Sequence, residues 1–518
     1  MNRPCNQIRL SRSPRSRRAF LAQCAACAGC ACLSGFGRAQ PAGSKPKIRA
    51  VFCETDNTRP IWPNVGYDFE SRRRALLNRL LTECPELEFL PAVLMDRPDD
   101  AQAILQQDHE VQGYVLFLQG LGWRNDIVSL CKTGKPTLLV DNLFGGSGLF
   151  LTRISTIRNL QKPVDWVASA NDDDIVASVR AFRGLAEGKS ADQIAAAFRE
   201  IRRQRTARSS PVEVQADAQT SRPLEQVLNE LKQTTVLVVG GTGWGGEQFR
   251  EAAARELGLK FQSVSFEELR AAYQAAPESA SRELAQTWIR NAERVIEPTE
   301  EEIIKSARMF YGMKSLMDRY QARGITVNCL GGFYGGHLDA YPCLGFVELN
   351  NQGLVGGCEA DQMSALTMMV IGLATGRPGY ISDPVVDTST YSIIYAHCVA
   401  MTRPFGSTGP ANPYRIRNHS EDRKGAAVQS LLPAGYVVTT LEINPVQRAV
   451  RLHRARTVGN HESDMACRTK LIAVVSGDLE KLVEEWQWGW HRVTFYGDWR
   501  PLVEELCQRC KFQLIDEA

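Results

Sequence analysis

The sequence lacks any run of about 18 apolar residues, the length a membrane-spanning helix needs. It has little histidine, seven in 518 residues, so each one can be weighed singly. Cysteine is thin in the body of the chain: of fifteen, five (Cys5, Cys24, Cys27, Cys30, Cys32) fall within the first 39 residues. That density excludes a disulfide scaffold. Cys507-x-x-Cys510 stands without the second pair of a zinc site and reads as a helix-edge pair or a local disulfide. Excess charge is small as well. The net +3 becomes −4 once the seven arginines of residues 1–39 are set aside, which excludes a basic nucleic-acid-binding surface. Hydrophobic residues at 44% and charged residues at 23% exclude a disordered or collagen-like chain and leave a globular protein of about three domains.

Residues 1–39 read as an export leader. A basic segment precedes a weakly apolar stretch, Ala19 to Phe36, and small residues follow, ending at Ala39. The core Ser16-Arg17-Arg18-Ala19-Phe20-Leu21 is similar to the twin-arginine signal consensus, which implies a periplasmic or otherwise exported protein. A disordered basic tail is the plainer reading.

The body divides into blocks. Residues 47–205 alternate apolar strands (Lys47–Phe52, Gly113–Leu118, Thr137–Val140) with helical stretches such as Ala191–Arg203. Residues 206–232 read as a polar linker, and 233–376 repeat the α/β pattern. Residues 377–518 change character: Gly435–Ile443 alternates apolar and polar side chains and turns back at Asn444-Pro445. The expected fold is therefore α/β, with two Rossmann-like domains followed by a β-rich, antiparallel barrel-like domain.

Two motifs carry chemistry. Gly241-x-Gly243-x-x-Gly246 follows a strand and opens a helix, as a dinucleotide loop does. The acids at the matching distance, Glu267 and Glu268, instead fit a capping box begun by Ser265. A glycine-rich turn without a nucleotide, or an oxidoreductase using that loop, both remain. The second motif is Leu354 to Asp361, an apolar helix, then Tyr380-Ile381-Ser382-Asp383. Read as a β–α–β crossover of a parallel sheet, it puts Glu359 and Asp383, 24 residues apart, at the carboxyl ends of two strands. Paired carboxylates there suit a divalent cation or acid–base work. Helix capping by Glu359 and Asp361 is the alternative.

Cys358-Glu359-Ala360-Asp361, Ala365-Leu366-Thr367-Met368, Asn328-Cys329-Leu330-Gly331, Tyr341-Pro342-Cys343-Leu344 and the terminal Trp490-His491-Arg492 together resemble the L-fucose isomerase family and its relatives of the arabinose isomerase fold. The resemblance covers chiefly residues 324–400 and 465–500. It implies aldose–ketose isomerisation through a cis-enediol and one divalent metal, most often Mn²⁺, held by Glu359, Asp383 and His491. Glu359 and Asp383 would also move the proton. It implies a small-molecule sugar as partner and a homo-oligomer, trimer or hexamer, in which Arg59 and Trp62 of the first domain reach a neighbouring site. His397 and Gln487 are further sugar-contact candidates. Gln487 stands where the fucose enzymes carry Asn, which puts fucose itself in doubt. A core role serves His397 and Trp62 equally well; Trp486, Trp488 and Trp490 could form a sugar-stacking wall, but core packing is their default reading. A non-catalytic sugar-binding protein on the same scaffold is the rival reading.

Overall fold

The computed structural model describes residues 44–518 apart from 98 and 242. The leader expected at residues 1–39 lies outside the described residues. Residues Lys45–Ala518 form one unit.

Strands β1 (Lys47–Glu54), β2 (Glu88–Met95), β3 (Gly113–Leu118), β4 (Thr137–Asp141) and β5 (Val164–Ala168) make a parallel sheet in the order β2-β1-β3-β4-β5. Its inner strands read as unbroken apolar runs, with every residue of β3 buried, because helices cover both faces. Strand β2 escaped the sequence pattern: Pro91 argues against a strand, yet β2 lies at the sheet edge, where proline costs no ladder bond.

Strands β6 (Thr235–Val239), β7 (Lys260–Val264), β9 (Gly324–Val327) and β10 (Val355–Gly357) form a second parallel sheet, ordered β10-β9-β6-β7. The short β8 (Arg294–Val295) leaves this unit and pairs in a small sheet with β13 (Tyr414–Arg417) and β14 (Ala427–Ser430). Strands β11 (Tyr380–Asp387), β12 (Ser392–His397), β15 (Val437–Asn444), β16 (Ala449–Asn460), β17 (Thr469–Ser476) and β18 (Arg492–Tyr496) run antiparallel and close on themselves through the β15–β16 pairing. A register shift between Thr457 and Gly459 bends β16, and β19 (Gln513–Asp516) adds to its outer end in parallel. The expected mixed α/β fold with a C-terminal antiparallel barrel is what forms.

Two expectations need correction. Strand β11 does not continue the parallel sheet. It pairs antiparallel with β12 and β18, so no β–α–β crossover joins Glu359 to Asp383. A short apolar run fits either kind of strand, and Gly376, left-handed at φ 70°, ends the preceding helix and redirects the chain. The stretch read as linker holds a helix, Leu224–Leu231, with Leu224, Val227 and Leu231 buried. The strap before it is pinned to the barrel unit by Gln215 N–H to the Gly435 carbonyl (2.7 Å) and by an Arg377–Asp217 pair (2.7 Å).

Candidate active site

Glu359 stands two residues beyond β10, on an arch that neither helix nor strand stabilises. It and Ala360 both take left-handed backbone, φ 59° and 51°, which L-residues adopt at a cost and which clusters at functional sites. The arch is held from outside. Ala360 N–H donates to the Val327 carbonyl at the end of β9 (2.8 Å), and Gln362 N–H donates to the Trp244 carbonyl (3.0 Å). The glycine loop packs directly on it: a Cβ at Gly243 would come within 2.0 Å of the Ala360 oxygen. The glycines therefore permit close backbone approach to the Glu359 arch. The capping box expected at Ser265 and Glu268 forms, so those acids start a helix.

Asp361 does two things at once. Its Oδ1 caps the helix Gln362–Thr375, accepting from Met363 and Ser364 N–H (2.9 and 3.0 Å). Its Oδ2 accepts from Ser364 Oγ (2.7 Å) and from His491 Nδ1 (2.8 Å). A carboxylate can only accept here, so Nδ1 carries a proton and turns Nε2 towards the other two carboxylates. Nε2 faces Asp383 Oδ1 at 3.1 Å and Glu359 Oε2 at 3.6 Å. Trp244 lies flat on the His491 ring, 4.5 Å between centroids, fixing its plane.

The barrel supplies Asp383 from the middle of β11, His397 from the end of β12 and His491 from just before β18; all three are buried. His397 is held the other way. Its Nδ1 accepts the Cys398 N–H (3.0 Å), which leaves the proton on Nε2 of the neutral ring. That N–H points between Glu359 Oε1 (3.9 Å) and Asp383 Oδ2 (3.8 Å) and has no hydrogen-bond partner. Burial lowers the His397 pKa and keeps the ring neutral. Both imidazoles thus turn Nε2 towards Glu359 and Asp383.

The electrostatics mark the site as short of positive charge. Among the described residues, Glu359, Asp361 and Asp383 form ion pairs only with histidines, never with lysine or arginine. Burial raises the Glu359 pKa well above the carboxylate range; His491 opposes this and Asp383 adds to it. Burial alone would lower the His491 pKa, but Glu359, Asp361 and Asp383 outweigh it and raise it well above the usual value. Two overlapping groups, Asp383–His397–His491 and Cys358–Glu359–His397, bring their donor atoms within 4.8 Å, and the expected Glu359–Asp383–His491 set is linked through His491 Nε2 without a Lys or Arg partner; such donors suit a divalent cation. The Asp361–His491 bond is the outer support that metal-binding histidines commonly have. Glu359 keeps 21% of its side chain exposed, so the site opens to solvent.

The other sequence-derived residues divide. Trp62 is buried in the core, edge-on against Trp490 (5.0 Å between centroids). Its loop does reach the site's surroundings: Val65 N–H donates to the Glu421 carbonyl (2.7 Å), and Ala466 N–H to the Pro63 carbonyl (3.0 Å). Arg59, on the same loop, is exposed and among the described residues pairs with Asp56 (3.6 Å). Gln487 is not brought to the cluster; its amide oxygen accepts from Arg451 (2.9 Å). Trp486 and Trp488 lie under Arg492 and Arg451, and Trp490 donates to the Pro384 carbonyl (2.9 Å), so these indoles pack the barrel. His419 pairs with Asp422 (3.1 Å), which against burial raises its pKa to about 9. Arg468 holds the Asn418 carbonyl (2.9 Å).

Sequence reasoning missed the support given by Asp361 and Trp244, and it missed a gathering of thiols. All ten cysteines among the described residues are free, and Cys507 and Cys510 are not bridged. Five of the ten (Cys329, Cys343, Cys358, Cys398, Cys467) are buried around the site, with Cys467 Sγ 4.0 Å from Asp383 Oδ2.

No family model matches this chain. It is similar to the sulfoquinovose isomerases of Priestia aryabhattai and Priestia megaterium, 24% identical over 225 residues. The match covers 41% of this chain, and the chain spans about half the length (48%) of the curated relatives it matches. The similarity supports a sugar-isomerase-like enzyme. Among the described residues no helix is long and apolar enough to cross a membrane.

Proposed function

We propose that this chain is a divalent-metal-dependent aldose–ketose isomerase acting on a monosaccharide. The observation that carries the reading is that Glu359 and Asp383 both face His491 Nε2 and are unpaired by any Lys or Arg among the described residues. These three residues would hold the metal, for which Mn²⁺ is the expected ion. When bound, it would polarise the sugar carbonyl and acidify the neighbouring C–H.

The chain's own groups would do the rest. Glu359 and Asp383 flank His397 Nε2 at 3.9 and 3.8 Å, so a sugar edge lying between them meets a carboxylate on each side. One carboxylate takes the proton from C2 of the aldose, and a proton that has exchanged with solvent on that carboxyl returns to C1, or to C2 on reversal, through a cis-enediol. The pKa of Glu359, raised by burial, favours an acid that can hold that proton. His397 Nε2–H donates to a sugar oxygen, supporting the charge that develops there. Asp361 and Trp244 keep the His491 ring in place throughout.

Export through the twin-arginine route and a homo-oligomer in which Arg59 extends to a neighbouring copy belong to the same proposal. The leader motif and the exposed Arg59 side chain support them. The test is a sugar panel, sulfoquinovose included, incubated with Mn²⁺-loaded enzyme in heavy water. Deuterium entering C2 of one sugar, with appearance of its ketose, is expected. A sugar that binds without exchange would contradict catalysis and favour the binding-protein reading.

A further inference from the structure

Cys329 and Cys358 sit just past the ends of neighbouring parallel strands, β9 and β10, with their sulfurs 3.2 Å apart. Both are buried and neither is bridged. Cys358 leads straight into the left-handed Glu359–Ala360 arch. Its sulfur lies within 4.8 Å of the Glu359 carboxylate, which is partly exposed, and of the His397 ring. Ala360 is tied to the end of β9, so a displacement of Cys358 falls on Glu359.

We propose that Cys329 and Cys358 form a dithiol modification site for small disulfides, and that closing it disturbs Glu359. The effect on Glu359 rests on its reading as a metal ligand; the thiol chemistry does not. One thiolate attacks a disulfide R–S–S–R. A protein–S–S–R bond forms, the reagent's S–S bond breaks and R–S⁻ leaves. The second thiolate attacks the protein-side sulfur, the Cys329–Cys358 bond forms, the mixed disulfide breaks and a second R–S⁻ leaves. The two thiol protons end on the two leaving groups. The pair is oxidised by two electrons, and R–S–S–R is reduced to two R–SH. The sulfurs must close from 3.2 Å to about 2.05 Å, which draws Cys358 by up to about 1 Å along the arch that presents Glu359.

Full-length, metal-free protein is treated with oxidised glutathione, digested without reductant and mapped by mass. Both the reduced and the treated protein are titrated calorimetrically with Mn²⁺. The account expects a Cys329–Cys358 linked peptide, a roughly 10–100-fold loss of Mn²⁺ affinity and its return with dithiothreitol, the size expected for disturbing a ligand's support. Linkage of Cys358 to any other cysteine, or no linkage, overturns the site. The expected linkage with unchanged Mn²⁺ affinity overturns the coupling. Reduced protein that takes no Mn²⁺ contradicts the metal reading and the coupling with it, while the map still judges the dithiol.

Discussion

Two buried carboxylate–imidazole clusters draw on the barrel, one within it and one completed by the Glu359 arch, and they are built to opposite rules. In the C-terminal cluster, Glu517 receives Arg492 (2.6 Å) and His453 Nδ1 (2.9 Å), and His453 Nε2 meets the Tyr395 hydroxyl (2.8 Å). Burial would raise the Glu517 pKa, yet Arg492 and His453 bring it down to about 2. Every charge there has an opposite beside it. Around Glu359, three carboxylates share one imidazole, that of His491, the Glu359 carboxyl is pushed up, and the Nε2–H of the second imidazole, His397, has no partner. A finished ion network stabilises a fold. A network one cation short, with a spare donor, is the pattern on which the proposed binding site rests.

The contrast breaks first at Glu359. Glu359→Gln should lower C2 deuterium exchange by about 10³-fold without lowering the melting temperature. The sign follows from the raised pKa, since ionising a carboxyl whose folded pKa lies above the unfolded one costs stability at neutral pH. A drop in both would make Glu359 a structural residue. Glu517→Gln should do the reverse, costing about 3–5 kcal/mol by stranding Arg492 while leaving Mn²⁺ affinity alone, read by denaturant unfolding and calorimetry. The stability Glu517 supplies is present above about pH 4.5 and lost as pH falls towards 2, so the variant should lack that acid limb.

Asp361→Asn should weaken Mn²⁺ binding by about 10–100-fold and change unfolding little, because Asn still caps the helix. Unchanged metal affinity would reduce Asp361 to a cap. The smallest effect concerns His419, whose pKa is raised to about 9 by Asp422. Its stabilisation is complete below about pH 6.5 and fades as pH rises through about 9, so the wild-type melting temperature should fall over that range more steeply than that of His419→Gln.

Much of this was readable from residues. The strand Gly113–Leu118 and the helix begun by Ser265 follow directly from apolar runs and capping chemistry. The site's carboxylates and His491 stood out by motif. What pattern could not supply was partnership across the fold. Tyr380–Asp383 looks alike in a parallel sheet and in a barrel, yet only the barrel brings Asp383 to His491. Asp361 fitted a helix cap so well that its second oxygen, turned to His491, was invisible. The ring settings of His397 and His491 depend on neighbours 1 and 130 residues away along the chain. Cysteines sparse in sequence converge in space for the same reason.

The most direct test is a calorimetric titration of the metal-free protein with Mn²⁺, comparing wild type, Glu359→Gln and Glu517→Gln. The account predicts one ion per chain in wild type and in Glu517→Gln, and binding largely lost in Glu359→Gln. No saturable binding in wild type, or equal binding in all three, would contradict it.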